Sequence, residues 1–289
     1  MIYRITHTLK YLTGLDYAGR NFAVFPDDTM VVSYPRSGNT WTRFLIANLL
    51  HPSKDVSFLN IESLIPDTTT ISSLRLKRIP RPRVIKTHEY FDHRYPKVVY
   101  IVRDPRDVVL SCHNFQRKYR QIPDAYPLEQ YVDDFLMGRS TERAWGTWGE
   151  NVGSWLSSRS GHPSFLLVRF EDMLQHPHEE LKRLGDFLGV AATVEILEQV
   201  IRRSSADSMR ELEKKQQDQW VGARKHRKDI PFVGSARAGG WKAKLPERGV
   251  AKIEAAWGHL MLALGYDLVT TAAAPDRRQV LPQTAALAR

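Results

Sequence analysis

The chain has 289 residues, 42% hydrophobic and 10% aromatic, enough for the core of one α/β domain, and its formal net charge of +10 suits a polyanionic ligand without distinguishing nucleotide, nucleic acid or anionic lipid surface. A single cysteine, Cys112, excludes an internal disulfide and most cysteine metal sites, and it suits a reducing cytoplasm, where the protein is expected. Residues 1–28 hold Arg4, Lys10, Asp16, Arg20, Asp27 and Asp28 with no uninterrupted apolar run, so neither a signal peptide nor a transmembrane segment is predicted.

In chain order, Ile5, Leu9, Leu12 and Leu15 predict a short amphipathic helix within an N-terminal segment, residues 1–28, packed on the main domain. Met30 to Ser33 predict a buried strand. Pro35 and Gly38 punctuate a tight turn, and Trp41, Phe44, Leu45 and Leu49 recur at helical spacing after it. A turn feeding a helix start aims free backbone N–H groups outward, where the helix dipole also favours negative charge. Ser37, Asn39 and Thr40 add side-chain donors and Arg36 a full charge. The turn is P-loop-like, yet it is shorter than G-x-x-x-x-G-K-[ST] and lacks the Gly-Lys pair, so the Walker reading fails.

Pro52 to Ser73 is polar and Arg75 to Arg83 basic and proline-rich, which predicts loops with short helical pieces of the kind that shape a substrate pocket. Arg83 to His88 is a strand candidate with His88 at its carboxyl end, the crevice side of an open α/β sheet; such a histidine is either structural or a proton carrier. Val98 to Val102 is a continuous apolar run, as in a parallel strand covered on both faces. Asp104 then reads as an N-cap, Pro105 as the first helical residue and Asp107 as the partner in a capping-box-like spacing. Arg103 stands just before this turn and Ser111 two helical turns beyond it, where the two can clamp one phosphate.

Tyr131, Phe135, Trp145, Trp148, Val152 and Trp155 predict one or two amphipathic helices with the tryptophans in the core. Phe165 to Phe170 is a further strand, and Glu171-Asp172-Met173 opens a helix containing Leu181, Leu184, Phe187 and Leu188. A helical, charge-rich segment runs from Val194 to Lys215 and includes Ser204 to Met209. Arg224 to Lys228 is a basic run, either a solvated loop or a guide for an anionic ligand. From about residue 271 the chain turns Ala-, Thr- and Pro-rich, which predicts a disordered tail over 271–289.

Four of these stretches together resemble the sulfotransferases. Tyr34-Pro35-Arg36-Ser37-Gly38-Asn39-Thr40-Trp41 is similar to their Y-P-K-S-G-T-T-W phosphosulfate loop; Lys86-Thr87-His88 is similar to their second signature; Arg103 to Ser111 resembles their 3′-phosphate motif; and Phe232 to Lys242 ends like their R-K-G-x-x-G-x-W-K element. The resemblance implies one α/β domain over residues 29–270, with a central parallel sheet flanked by helices and phosphates at the strand carboxyl ends. It implies 3′-phosphoadenosine 5′-phosphosulfate as donor, no metal, and in-line transfer of the sulfonyl group to an acceptor hydroxyl on a carbohydrate, glycolipid, glycopeptide or small molecule. His88 corresponds to the general base, Arg36 to the charge that offsets the leaving phosphate, and Lys86 to a sulfonate contact. Donor binding falls to Arg36, Ser37, Gly38, Asn39, Thr40, Trp41, Arg103, Ser111, Phe170 and Ser204, with Arg237, Ala238 and Gly239 from the last element. The departures are Phe170 for the family's Tyr, Ala206 for a stacking Phe, and Gly234, Ser235 and Ala236 at the last motif's Arg, Lys and Gly, which leaves Arg237 as the nearest replacement cation. A homodimer is compatible with the family. The competing readings are a P-loop nucleotide kinase and a non-enzymatic polyanion binder; the first lacks a Walker lysine, and the second, as a nucleic-acid binder, lacks an interleaved aromatic platform.

Overall fold

The computed structural model describes residue 13 and residues 16–141, 143–220, 222, 226–234 and 236–270. The predicted N-terminal helix (Ile5, Leu9, Leu12, Leu15) and the tail from residue 271 lie outside the described residues.

Four strands form one parallel sheet, β1 (Thr29–Ser33), β2 (Val84–Thr87), β3 (Lys97–Val102) and β4 (Phe165–Arg169), in the order β2-β1-β3-β4. Val31 pairs with Lys86 on one side and Val99 on the other. The uninterrupted apolar runs have the reason anticipated for a sheet covered on both sides. Met30, Val32, Ile85, Val98 and Tyr100 face one hydrophobic cluster, while Val31, Val99, Ile101 and Val168 face another.

The helix that leaves β1, α1 (Asn39–Leu50), buries Phe44, Leu45, Ile46 and Leu49 in the second cluster. Two short helices follow, α2 (Ile61–Leu64) and α3 (Ser73–Lys77), in the polar region read as loop with helical pieces. The helix that leaves β3, α4 (Pro105–Lys118), buries Val108, Val109 and Cys112 in the first cluster. Thus the helices after β1 and β3 depart to opposite faces, and the gap between these two strand ends is the topological switch point, the usual ligand crevice of an open α/β sheet.

Two further helices on the first face are α5 (Leu128–Leu136) and α6 (Trp148–Arg159), separated by a 3₁₀ turn, Arg143–Trp145. Thr147 and Glu150 make a full capping box for α6. The helix read as continuous through Leu188 is two: α7 (Phe170–Gln175) and α8 (Pro177–Leu188). The break is at His176, which precedes a proline and so is driven out of the helical region. The Val194–Lys215 segment likewise divides into α9 (Val194–Arg203) and α10 (Ala206–Gln216), because the Ser205 side chain accepts from Ser208 N and starts a new helix. The chain ends its described part with α11 (Trp241–Lys244) and α12 (Glu247–Ala263). No helix among the described residues is long and apolar enough to cross a membrane.

A buried ion pair ties β2 to the entrance of β1. Arg83 donates to both carboxylate oxygens of Asp28, at 2.8 and 2.5 Å, and to the carbonyls of Leu76 and Ala23, with the pair's side chains 1% and 0% exposed. Removing one partner leaves the other charge buried alone, so Asp28→Asn is expected to cost about 3–5 kcal/mol. Urea unfolding checks this, with the midpoint lowered and the slope unchanged.

Candidate active site

The first wall of the crevice is the turn after β1. Arg36 (φ 67) and Gly38 (φ 98) both take left-handed backbone, which reverses the chain between Ser33 and the start of α1. Gly38 is the N-cap of α1 and supplies no side-chain cap, so the first-turn N–H groups are left for another acceptor. A Cβ on Gly38 would stand 2.5 Å from Phe170 Cδ2, so the glycine also permits a close approach of the Phe170 ring. Ser37 Oγ is buried without a partner among the described residues. Asn39 lines the crevice, with its Nδ2 committed inward: it donates to Ser33 Oγ at 3.0 Å and to Val31 O at 3.4 Å, bracing the end of β1.

The second wall is the turn after β3. Asp104 caps α4 by accepting from Arg106 N at 2.9 Å and holds the Arg106 guanidinium, which also reaches Glu254 at 2.6 Å. Asp107 makes no capping box. Its carboxylate accepts from Gly239 N (2.7 Å) and Trp241 N (2.9 Å), pinning the last element across α4. Arg103 lies 4.4 Å over the Phe170 ring, donates weakly to the carbonyls of Arg36 and Arg237, and keeps a buried Nε with no partner among the described residues. Ser111 Oγ accepts from Arg36 Nε at 3.1 Å. The Arg36 guanidinium is otherwise held by neutral groups, Phe232 O and the Phe115 and Phe232 rings. Buried polar atoms without partners among the described residues, beside an Arg36 held by neutral groups and an Arg103 whose nearest carboxylate, Asp107, is 3.9 Å away, suit a bound anion.

The third wall is the end of β2. His88 Nδ1 lies 2.7 Å from Ser33 O. A carbonyl only accepts, so Nδ1 carries the proton and Nε2 is left with a free lone pair. Burial first, and then the Lys86 charge, pull the imidazole down to about 3, so it stays neutral. Trp145 packs edge-on against this ring, its centroid 5.1 Å away. That corrects the core reading of Trp145, whereas Trp148 and Trp155 are core residues, fully buried. Lys86 is also buried, with Nζ 2.7 Å from Asp67 Oδ2.

The three walls border one cavity of about 1710 Å³, more than a single drug-sized ligand needs, with Arg36, Thr40, Trp41, Lys86, His88 and Arg103 in its lining. Ser111, Phe170 and Arg237 line it as well. Trp41 and Phe170 meet edge to face at 5.5 Å. Ser204 is displaced from the expected role. It is fully buried, its carbonyl accepts from Trp41 Nε1 at 2.9 Å and its hydroxyl from Asn48 Nδ2 at 3.1 Å, while Ser205 and Ala206 take the cavity side. In the last element Gly239 is fixed through its N–H, Ala238 is exposed, and Ala236 has φ 48, the left-handed backbone that a glycine would adopt more readily. From the basic run, Arg227 pairs with Asp124 and Asp229 and Lys228 with Asp218, so both are neutralised; Arg224 and Lys225 lie outside the described residues.

Sequence reasoning missed Asp67, Ser33 and the second duty of Asp107. Asp67 sits inside a stretch read only as pocket-shaping, and its proximity to Lys86 arises from tertiary pairing without a local pattern.

A family model described as the sulfotransferase domain matches residues 26–265. Sulfotransferase 1A1 of Mus musculus is 28% identical over 224 residues, 70% of this chain and 74% of the relative. The mouse sulfotransferase SULT7A1 complexed with PAP superposes with a TM-score of 0.65 at 22% identity, covering 83% of this chain and 86% of that one. Retinol dehydratase in complex with androsterone and the inactive cofactor PAP gives 0.67 at 20% identity, covering 90% and 87%. These two structures share the fold.

The contact between Gly38 and Phe170 yields a test independent of ligand. Gly38→Ala is expected to destabilise the protein by about 2–4 kcal/mol through its left-handed backbone and the clash. Adding Phe170→Ala should relieve only the clash, so thermal unfolding of the double variant should show coupling between the sites of about 1 kcal/mol or more.

Proposed function

The chain belongs to the sulfotransferase-domain family, and from that premise we propose that it moves the sulfonyl group of 3′-phosphoadenosine 5′-phosphosulfate to a hydroxyl of its acceptor, with His88 as general base. The observation that carries this reading is the His88 tautomer. With Nδ1–H donated to Ser33 O, the ring lines the cleft as a neutral base with Nε2 able to accept a proton.

The turn from Arg36 to Thr40 holds the 5′-phosphate through the open amides of α1, with Ser37 and Thr40 as hydroxyl donors. Trp41 and Phe170 flank the adenine. Arg103, Ser111 and Arg237 take the 3′-phosphate, since Arg237 belongs to the altered last element and lines the cleft. In the reaction the acceptor oxygen attacks sulfur as Nε2 removes its proton, and the bond from sulfur to the bridging 5′-phosphate oxygen breaks in line. Negative charge then grows on the leaving phosphate, where Arg36 offsets it, while Lys86 stands on the cleft wall within reach of the sulfonyl oxygens. The acceptor bears a hydroxyl, and carbohydrate, glycolipid, glycopeptide and small-molecule alcohols all fit a cavity of this size.

Calorimetry tests the donor: 3′,5′-bisphosphoadenosine should bind more tightly than 5′-adenylate by about 2–4 kcal/mol, the worth of one phosphate held by a few charge-assisted hydrogen bonds. Arg237→Ala should weaken the bisphosphate and leave the monophosphate unchanged. Equal affinities of the two nucleotides contradict the donor assignment.

His88→Ala should lower kcat by about 10²–10⁴-fold with bisphosphate affinity unchanged. The imidazole also fixes a sign for pH. Its folded value, about 3, lies below its ordinary value of 6.5, so the stability tied to the neutral form is present above pH 6.5 and is lost as pH falls toward 3. Unfolding free energy measured from pH 7 to pH 4 should fall more steeply in wild type than in His88→Asn.

A further inference from the structure

We infer that Asp67 is a positioning residue for sulfonyl transfer: its carboxylate holds Lys86 as an ammonium in the cleft wall beside His88, with N–H groups left over for the transferring group. This rests on the sulfonyl-transfer reading above.

The segment 66–68 runs alongside β2 as a fifth, single-bridge neighbour. Lys86 N donates to Pro66 O at 2.8 Å, Thr68 N donates to Lys86 O at 3.0 Å, and Asp67 is bridged in parallel to Lys86. Both oxygens of the Asp67 carboxylate are committed. Oδ1 accepts from Thr69 N (2.9 Å) and Thr69 Oγ1 (2.7 Å), which fixes its rotation, and Oδ2 accepts from Lys86 Nζ at 2.7 Å. A second carboxylate fixes the same segment from behind: Glu62 accepts from Asp67 N at 3.0 Å and from Thr70 Oγ1 at 3.0 Å and pairs with Arg43 at 2.9 Å. The Lys86 and Asp67 side chains are 8% and 11% exposed, so little water competes.

An ammonium has three donors. Asp67 is the sole hydrogen-bond partner of Lys86 Nζ among the described residues, and Lys86 lines the cleft. Two N–H bonds thus remain for an anion, such as the oxygens of a sulfonyl group passing between donor and acceptor. The ion pair also limits the effect of Lys86 on the base, since the lysine charge works against protonation of His88 and Asp67 works for it. The groups that face Lys86 are Asp67 from the 66–68 segment, Arg43 from α1, Glu62 from α2 and His88 beyond β2. Burial pulls the ammonium below its ordinary range, Asp67 is the strongest force restoring it, and Arg43 lowers it further while Glu62 raises it. On the other side, burial pushes the Asp67 carboxyl up, and the charges of Lys86, Arg43 and His88 together hold it well below the usual carboxylate range.

Without Asp67 the buried ammonium loses its counter-charge and gives up its proton at lower pH, so the alkaline limb of kcat moves acidward. In Asp67→Asn, which keeps the shape, kcat at pH 8 should fall at least tenfold while 3′,5′-bisphosphoadenosine affinity stays within twofold. The alkaline limb should move down by about one unit or more. NMR of [¹³Cε]lysine-labelled protein, with Lys86 assigned by its loss in Lys86→Arg, should show the same shift of the Lys86 midpoint. Asp67→Glu keeps the charge and should recover part of kcat and most of the midpoint; it also serves as the probe if the asparagine variant does not fold, when a kcat unchanged by the displaced carboxylate overturns the inference. An active wild type whose Asp67→Asn form keeps both the alkaline limb and the Lys86 midpoint overturns the inference alone. A wild type that transfers no sulfonyl group overturns the function and the role of the pair with it.

Discussion

Parallel pairing of β1 with β3, with α1 and α4 leaving to opposite faces, is the constraint on which the site depends. Parallel strands end on the same side, so the two turns open next to each other, and because their helices diverge a crevice is left between them, crossed by the Arg36–Ser111 contact and floored by Phe170. The uncapped start of α1 then contributes N–H groups and the positive end of its dipole to the crevice, whereas the start of α4 is capped by Asp104 and its turn contributes the Arg103 side chain. β2, on the outer side of β1, ends at the same level and delivers His88 to the same opening. Three signatures far apart in sequence thus reach one cavity through strand register.

The cleft stays cationic because its ions fall into two groups. Arg43 and Lys86 have carboxylate partners in the 62–67 region. Arg36 by contrast is held by a hydroxyl, a carbonyl and two aromatic rings, and Arg103 by a ring, carbonyls and a distant carboxylate, Asp107, at 3.9 Å. Burying cations with neutral partners costs stability that a bound polyanion returns, a common arrangement at phosphate sites. The aromatic groups have a second duty in this arrangement. Phe170 sits between Gly38, Trp41 and Arg103, so one side chain from the start of α7 packs against both turns.

What was legible in the sequence was local. Strand runs, the Asp104 cap with Pro105 behind it, and the Gly38 turn are each written in a few adjacent residues, and the structure has them where they were expected. The helix break at His176-Pro177 was legible too, from the residue before proline, but was not used. What could not be read was the partner of a side chain. Asp107 has the spacing of a capping box yet serves backbone N–H groups more than 130 residues away, Ser204 supports Trp41 from behind, and Asp67 finds Lys86 through a single parallel bridge. Trp145 shares the helical spacing of Trp148 and Trp155, and only the 3₁₀ turn that carries it brings it onto His88.

The central claim is that the two turns at the switch point hold the two phosphates of one nucleotide, with His88 facing the donor's reactive end. A crystal structure of the protein with 3′,5′-bisphosphoadenosine tests it most directly. The account predicts the 5′-phosphate within hydrogen-bond distance of the amides from Ser37 to Thr40, the 3′-phosphate against Arg103, and the adenine beside Trp41 and Phe170. A nucleotide bound with its phosphates exchanged between the turns, or bound outside this cleft, would contradict it.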